Sequence, residues 1–365
     1  MPQLIWLVTA TTSGLGAAIV QHLTARGDRV IATGRNANER LAYLKSDNVA
    51  ILELDVTAPR QQIDAQIEKA WQVWGHIDVL LNNAGVSAPK SIEEATDEFV
   101  RSIFDVNLFG TLHVSQAILP YFRSQRSGTL AFTGAGVGWG PLPFLAHYAA
   151  SKAALDIFVE GLAKEVKSFN INCMIFEPGG FPSQLGAARE GSVEGFGKYQ
   201  PSIEAYKPLF DETMGVFASE IVPNVPGDIN KLSGRIVDCV KGEGVCAGKP
   251  RPLRVILGCD ALRLIQQKCK EQLELANNWE DVSLSTDRDG HDHVASPGML
   301  RLTSIFVVRV DTGGHPFYRI LTCYFTFYMG FSKPELATSR LILVLANLVL
   351  ASYSPRSEND PQARP

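Results

Sequence analysis

Short apolar runs recur along the chain at residues 4–8, 29–33, 50–54, 78–81, 129–133 and 171–176, and each stops at a polar or glycine-bearing turn. Their length and near-continuous hydrophobicity predict strands buried on both faces. The segments between them carry helical patterns, the first at residues 17–26. Strand and helix in regular alternation predict a right-handed doubly wound parallel sheet, an α/β fold.

The polar residues collect where the strands end. Thr9-Ala10-Thr11-Thr12-Ser13-Gly14-Leu15-Gly16 joins the first strand to the first helix. A small-residue turn at a helix N-terminus can cradle a phosphate, because unpaired backbone N–H groups and the helix dipole both favour an anion. Taken alone it is equally an ordinary strand-to-helix turn. Asp55 follows the third strand, Asn82-Asn83-Ala84-Gly85 the fourth, and Glu177-Pro178-Gly179-Gly180 the sixth. Ligands of open parallel sheets bind at these carboxyl ends.

Tyr148 and Lys152 stand four residues apart in a helical stretch, so a phenol and an ammonium share one helix face. A positive charge beside Tyr148 should favour phenolate and lower its pKa, which suits proton exchange with an alcohol or carbonyl oxygen. The alternative is an exposed pair on an amphipathic helix.

Composition narrows the classes. The chain has 365 residues and is 45% hydrophobic, enough for a sizeable core and more than one such sheet domain needs. A formal net charge of −4 leaves no basic footprint for nucleic acid. Cys173, Cys239, Cys246, Cys259, Cys269 and Cys323 lack metal-ligand spacing and read as reduced thiols of a cytoplasmic protein. His291-Asp292-His293 reads as a solvated pair, so no metal is expected. The N-terminal apolar run lacks a basic flank and cleavage site, as befits a first strand and not a secretion signal. Residues 291–365 alternate apolar runs with polar breaks, none reaching the about 18 apolar residues of a spanning helix. Membrane contact through this tail is the second reading.

With residues 9–16, Asn82 to Gly85, Asn107 with Gly110, Tyr148 with Lys152, and Pro178-Gly179 in this order, the chain resembles a short-chain dehydrogenase/reductase with a single-domain Rossmann core. The resemblance covers residues 1–288, including a seventh strand at 254–257 similar to that of fungal and hydroxysteroid-type members. It leaves an atypical extension at 291–365. It implies that Tyr148 is the general acid in reduction and the base in oxidation. Lys152 would hold the nicotinamide ribose, and Asn107 would support a water in the proton relay. Thr9, Thr11, Ser13, Gly14, Leu15 and Gly16 would hold the pyrophosphate side of the cofactor. Asp55 and Val56 would flank the adenine, Asn82, Ala84 and Gly85 its ribose side, and Pro178, Gly179 and Ser183 the nicotinamide. Residues 186–210 would form a substrate lid, with Phe196, Tyr199, Tyr206 and Phe210 as a cover or as its anchors. A homodimer or homotetramer is also implied.

Two positions depart from the family pattern. Ala10 replaces the first glycine of the turn, tolerable at negative φ and costly at positive φ. Ala135, thirteen positions before Tyr148, replaces the serine that positions the substrate oxygen. Thr133 and His147 are possible stand-ins, although a strand-end packing residue and a surface histidine are the readings we adopt. After the second strand, Gly34 offers no carboxylate to a ribose 2′-hydroxyl, and Arg35 offers a guanidinium for a 2′-phosphate, favouring NADP(H). Apolar residues bordering the expected pocket, among them Trp139, Leu142 and Phe144, suggest a small lipophilic substrate. The expectation is therefore an NADP(H)-dependent enzyme interconverting a ketone and a secondary alcohol, in specialised metabolism. A hydroxysteroid- or retinol-type dehydrogenase, or a catalytically weak dinucleotide-binding relative, is the alternative.

Overall fold

A computed structural model describes residues 3–183, 185, 199–216, 219 and 224–290. The chain divides into two units, Met1–Ser285 and Thr286–Pro365. Most of the expected lid with Phe196, the histidine pair at 291 and 293, Cys323 and the tail runs lie outside the described residues. Among the described residues no helix is long and apolar enough to cross a membrane, and no cluster of three or more metal-ligating side chains occurs. The five described cysteines are free thiols.

The first unit is built on seven parallel strands: β1 (Ile5–Val8), β2 (Arg29–Gly34), β3 (Val49–Glu53), β4 (Val79–Asn82), β5 (Gly128–Thr133), β6 (Ile171–Pro178) and β7 (Arg254–Leu257). Their spatial order is β3-β2-β1-β4-β5-β6-β7. The described helices are α1 (Gly14–Ala25), α2 (Ala37–Arg40), α3 (Arg60–Trp74), α4 (Asp97–Phe104), α5 (Thr111–Gln125), α6 (Ala146–Val166), α7 (Lys207–Val216), α8 (Ile229–Lys241), α9 (Cys259–Asn278) and α10 (Glu280–Leu284).

Strand alternation gives the sheet two apolar faces. Ile5, Leu7, Ile31, Leu80, Leu130, Phe132 and Ile175 pack with Ile63 and Ile67 of α3, Ile118 of α5 and Leu155 of α6. Trp6, Val8, Val30, Ala32, Leu81, Met174 and Phe176 pack with Ile19 and Leu23 of α1 and Ile236 of α8. Both faces are therefore covered, as an all-parallel sheet requires. The strand order reverses between β1 and β4, and the crevice at that reversal is where such sheets admit ligands.

Two backbone features shape this crevice. Between α4 and α5, residues Asp105–Gly110 form a π-helical turn, a local widening that often marks functional sites. A side chain at Gly110 would come within 2.7 Å of the Val56 carbonyl, so glycine lets the turn approach the loop after β3. At the other feature, Ala10 has φ 55°, the left-handed region, which is the costly case for a residue with a Cβ. Asn83 holds this turn from the side, its Nδ2 donating to the Thr9 and Ala10 carbonyls at 3.2 and 3.3 Å.

An alanine in this conformation costs about 1–2 kcal/mol, against which glycine loses about 0.4–1 kcal/mol through unfolded-state entropy. Ala10→Gly should thus stabilise the fold by about 0.5–1 kcal/mol. Urea denaturation midpoints measure this, and an unchanged or lower midpoint would show that the turn has relaxed around the alanine.

Candidate active site

Four elements converge at the carboxyl ends of β4 and β5. On α6, Tyr148 and Lys152 are buried, with 7% and 3% of their surfaces exposed. Lys152 Nζ donates to the Thr133 carbonyl at 2.7 Å, which ties α6 to the end of β5. From the π-helical turn, Asn107 Oδ1 accepts the Val86 N–H at 2.8 Å while its Nδ2 donates to the Val86 carbonyl and to Ser151 Oγ, both at 2.9 Å. Ser151 Oγ in turn donates to the Tyr148 carbonyl at 2.7 Å. The Asn107 side chain is thus a brace between the β4 loop and α6. A Cβ at Gly85 would lie 3.5 Å from both Asn107 Oδ1 and Lys152 Nζ, so the loop backbone runs directly past the pair.

The electrostatics correct the expectation that Lys152 lowers the Tyr148 pKa. Burial pushes the Tyr148 phenol up, and Asp156 adds to that rise. Burial likewise lowers the Lys152 ammonium to about 8, with Asp156 opposing. Both groups lie inside the domain, where desolvation disfavours the charged form of each.

The turn after β1 is tied to its neighbouring strands. Thr9 and Thr11 are buried, and Thr11 N–H and Oγ1 both donate to the Thr33 carbonyl. Thr9 Oγ1 accepts the N–H groups of Asn83 and Ala84, at 2.9 and 3.0 Å, locking β1 to the β4 loop. Asn82 Nδ2 donates to Ser115 Oγ at 3.1 Å. Ser13 makes no side-chain cap to α1, and Gly14 takes φ 55°. A Cβ at Gly16 would meet the Ala10 carbonyl at 2.3 Å, so a larger residue than Gly16 would close the turn.

Arg35 is exposed at the end of β2, and among the described residues its guanidinium has no partner. A Cβ at Gly34 would lie 2.9 Å from Thr12 Cγ2, so a larger residue there would require the Thr12 side chain to turn. Asp55 Oδ1 accepts both the N–H and Oγ1 of Thr57, and Val56 is buried beside it. Pro178 ends β6, and the Gly179 N–H donates to the Leu257 carbonyl at 2.9 Å. Ser183 is exposed beyond that turn, its Oγ accepting the Leu185 N–H at 3.4 Å.

Ala135 is buried in extended backbone directly before a 3-10 turn. The two candidate stand-ins have other contacts. Thr133 Oγ1 donates to Asn83 Oδ1 at 3.4 Å, the packing role. His147 departs from the surface reading: it is half-buried, its ring edge-on to Phe99 at 5.6 Å, and burial lowers its pKa.

Aromatic residues assigned to the lid are anchors where they are described. Tyr199 and Phe210 are buried with Phe144, and Tyr206 packs against them. Glu94, from the loop after β4, gathers the segment: its carboxylate accepts Ser91 Oγ at 2.7 Å, the Ser202 N–H at 2.6 Å, and the Tyr199 and Ser202 hydroxyls. These donors hold its pKa well below the usual carboxylate range.

Trp139 has polar partners. Its indole N–H donates to Glu177 Oε1 at 2.7 Å and its ring lies under the Arg254 guanidinium at 5.2 Å. Arg254 Nη1 also contacts Asp156 Oδ2 at 3.1 Å and Glu177 Oε1 at 2.6 Å, and its Nε contacts Glu160 at 2.8 Å. Sequence reasoning missed this polar cluster behind Lys152, although Asp156 and Glu160 continue the four-residue stripe of Tyr148 and Lys152. It also missed Asp260, whose carboxylate accepts the Gly180 N–H at 2.6 Å and fixes the turn after β6.

Residues 5–192 match the short chain dehydrogenase family. The chain is 31% identical over 287 residues to oxidoreductase BOA17 of Botryotinia fuckeliana, covering 77% of this chain and 98% of that protein. It is 30% identical over 294 residues to oxidoreductase calM of Penicillium decumbens, covering 76% and 91%. Among solved structures, a short-chain dehydrogenase from Streptomyces avermitilis superposes with a TM-score of 0.67 at 30% identity, over 79% of this chain and all of that one.

Proposed function

The chain belongs to the short-chain dehydrogenase family, and on that premise we propose that it is an NADP(H)-dependent oxidoreductase interconverting a ketone and a secondary alcohol on a small lipophilic substrate. The observation that carries this is the buried Tyr148–Lys152 pair at the carboxyl ends of β4 and β5, braced by Asn107 and passed closely by Gly85. The turn at residues 9–16 fits a pyrophosphate, since only glycine fits at position 16 and Ser13 leaves the α1 N-terminus uncapped. When bound, the nicotinamide supplies or accepts a hydride.

In reduction the Tyr148 hydroxyl gives its proton to the substrate oxygen, and in oxidation it takes one back. The raised affinity of the buried phenol for its proton keeps it in the donating form at neutral pH. Lys152, one helical turn after Tyr148 and held by the Thr133 carbonyl, would hold the ribose of a bound cofactor. Asn107 fixes Ser151, and through it the first turns of α6, so that Tyr148 does not drift.

Arg35 stands free at the end of β2 to meet a 2′-phosphate. Arg35→Ala should weaken NADPH binding by about tenfold and NADH binding much less, the loss of one charge-assisted contact. Calorimetric titration of both nucleotides checks this, and equal weakening would remove the NADP(H) assignment. A place in specialised metabolism rests on the sequence resemblance alone.

Ala135 favours a second reading, a dinucleotide-binding protein of low catalytic power, because the Thr133 hydroxyl is engaged with Asn83 and supplies no replacement. Incubation with NADPH and a panel of aromatic and polycyclic ketones distinguishes the two. Oxidation of NADPH with any ketone supports the enzyme. Tight NADPH binding with no turnover across the panel supports the second reading.

A further inference from the structure

The polar cluster behind Lys152 has an unusual composition for a domain interior. Asp156 and Glu177 are 2% and 1% exposed, and a single nitrogen, Arg254 Nη1, serves both. Each has a second oxygen, Asp156 Oδ1 and Glu177 Oε2, that is buried with no donor among the described residues. Gly134 makes room for the first of these: a Cβ there would stand 2.8 Å from Asp156 Oδ1. An ionised carboxylate stripped of water and donors is costly, whereas a carboxyl that keeps a proton brings its own donor.

Charge points the same way. The groups facing Asp156 are Lys152 and Glu160 from α6, Glu177 from β6, Arg254 from β7, and the Trp139 indole from the loop after β5. Arg254 also pairs with the partly exposed Glu160 through Nε, so the single guanidinium charge is shared among three carboxyls and does not fully offset the buried two. Burial and the charge of the neighbouring Glu177 raise the Asp156 pKa.

We propose that Asp156 and Glu177 form a one-proton carboxyl pair whose charge acts through Lys152, making Asp156 a positioning residue for the proton-transfer site. At low pH the pair holds its proton and is worth one negative charge, offset by Arg254. As pH rises the pair releases that proton to solvent, and a second negative charge develops one helical turn from Lys152. It stabilises the ammonium over the range in which burial would otherwise strip it. The pair thus extends the pH span over which Lys152 stays charged. Its role in catalysis rests on the oxidoreductase reading, whereas its proton count does not.

Two measurements on the full chain test this without a substrate. Infrared spectra at neutral pH should show a protonated carboxyl band that disappears in both Asp156→Asn and Glu177→Gln, since either leaves one carboxyl alone with Arg254. Titration of ¹³Cε-labelled lysine by NMR, with the Lys152 signal identified by its loss in Lys152→Met, should separate the variants. Asp156→Asn removes the charge one turn away, so Lys152 should titrate lower by about one pH unit. Glu177→Gln leaves Asp156 ionised, so Lys152 should titrate at the same pH or higher. General damage to the cluster would move both variants the same way. A shared direction, no acid band in the native protein, or a band persisting in both variants would overturn the proposal. Failure of every ketone to react would reject the oxidoreductase reading and leave both measurements standing.

Discussion

Tyr148→Phe should lower kcat/KM for ketone reduction by about 10²-fold or more, the usual loss when a general acid is removed. The ring is buried at the start of α6, and phenylalanine keeps its volume, so packing and the Ser151 bond to the position 148 carbonyl persist. What disappears is the hydroxyl assigned to meet the substrate oxygen. NADPH affinity should remain close to normal, because Lys152 keeps its bond to the Thr133 carbonyl. Steady-state kinetics beside a binding titration separate the two effects. Full turnover in the variant would mean that the proton comes from elsewhere.

Ala135→Ser should raise kcat/KM on a ketone already turned over, by up to about 10²- to 10³-fold, the contribution of one positioned donor to a developing oxyanion. The backbone at Ala135 is extended, with φ −164° and ψ 140°, so serine enters without strain. Its carbonyl already accepts the Gly138 N–H at 3.0 Å, which fixes the local turn. Thr133 gives its hydroxyl to Asn83, so the gain has no native competitor there. A fall in rate would carry a different message. It would mean that the methyl group leaves space for a bulky part of the substrate, and Ala135 would then be a determinant of specificity.

The sheet was legible because its strands are apolar on both faces, and a run such as residues 171–176 has few other uses. Its edges were less so. β6 extends to Pro178 because Glu177 and Pro178 pair with Ile256 and Leu257 of a strand nearly eighty residues later, a partner that local pattern does not reveal. Tyr148, Lys152 and Asn107 could be named from spacing and resemblance. The direction of the Tyr148 pKa could not, since it depends on how fully the phenol is enclosed. The sign of φ at Ala10 was likewise open until the turn was folded against Asn83.

The polar partners of Trp139 were hidden for a related reason. As a sequence neighbour of Leu142 and Phe144 it reads as apolar wall, and its bond to Glu177 exists only once β6 lies beside the end of β5. Asp156 and Glu160 continue a visible stripe, yet a stripe of acids on a helix ordinarily faces water. The burial of Asp156 goes with Arg254 arriving on the edge strand, while Glu160 stays partly exposed beside the same guanidinium.

That arrival has a consequence for how the protein is made. Arg254 lies 98 residues after Asp156 and 77 after Glu177, so a ribosome releases both acids well before the cation that neutralises them. Closing β6 and α6 over two unpaired carboxyls costs several kcal/mol. During synthesis these elements therefore have an electrostatic reason to stay open or protonated until β7 emerges, and the last strand of the sheet sets the moment at which the nascent domain can shut.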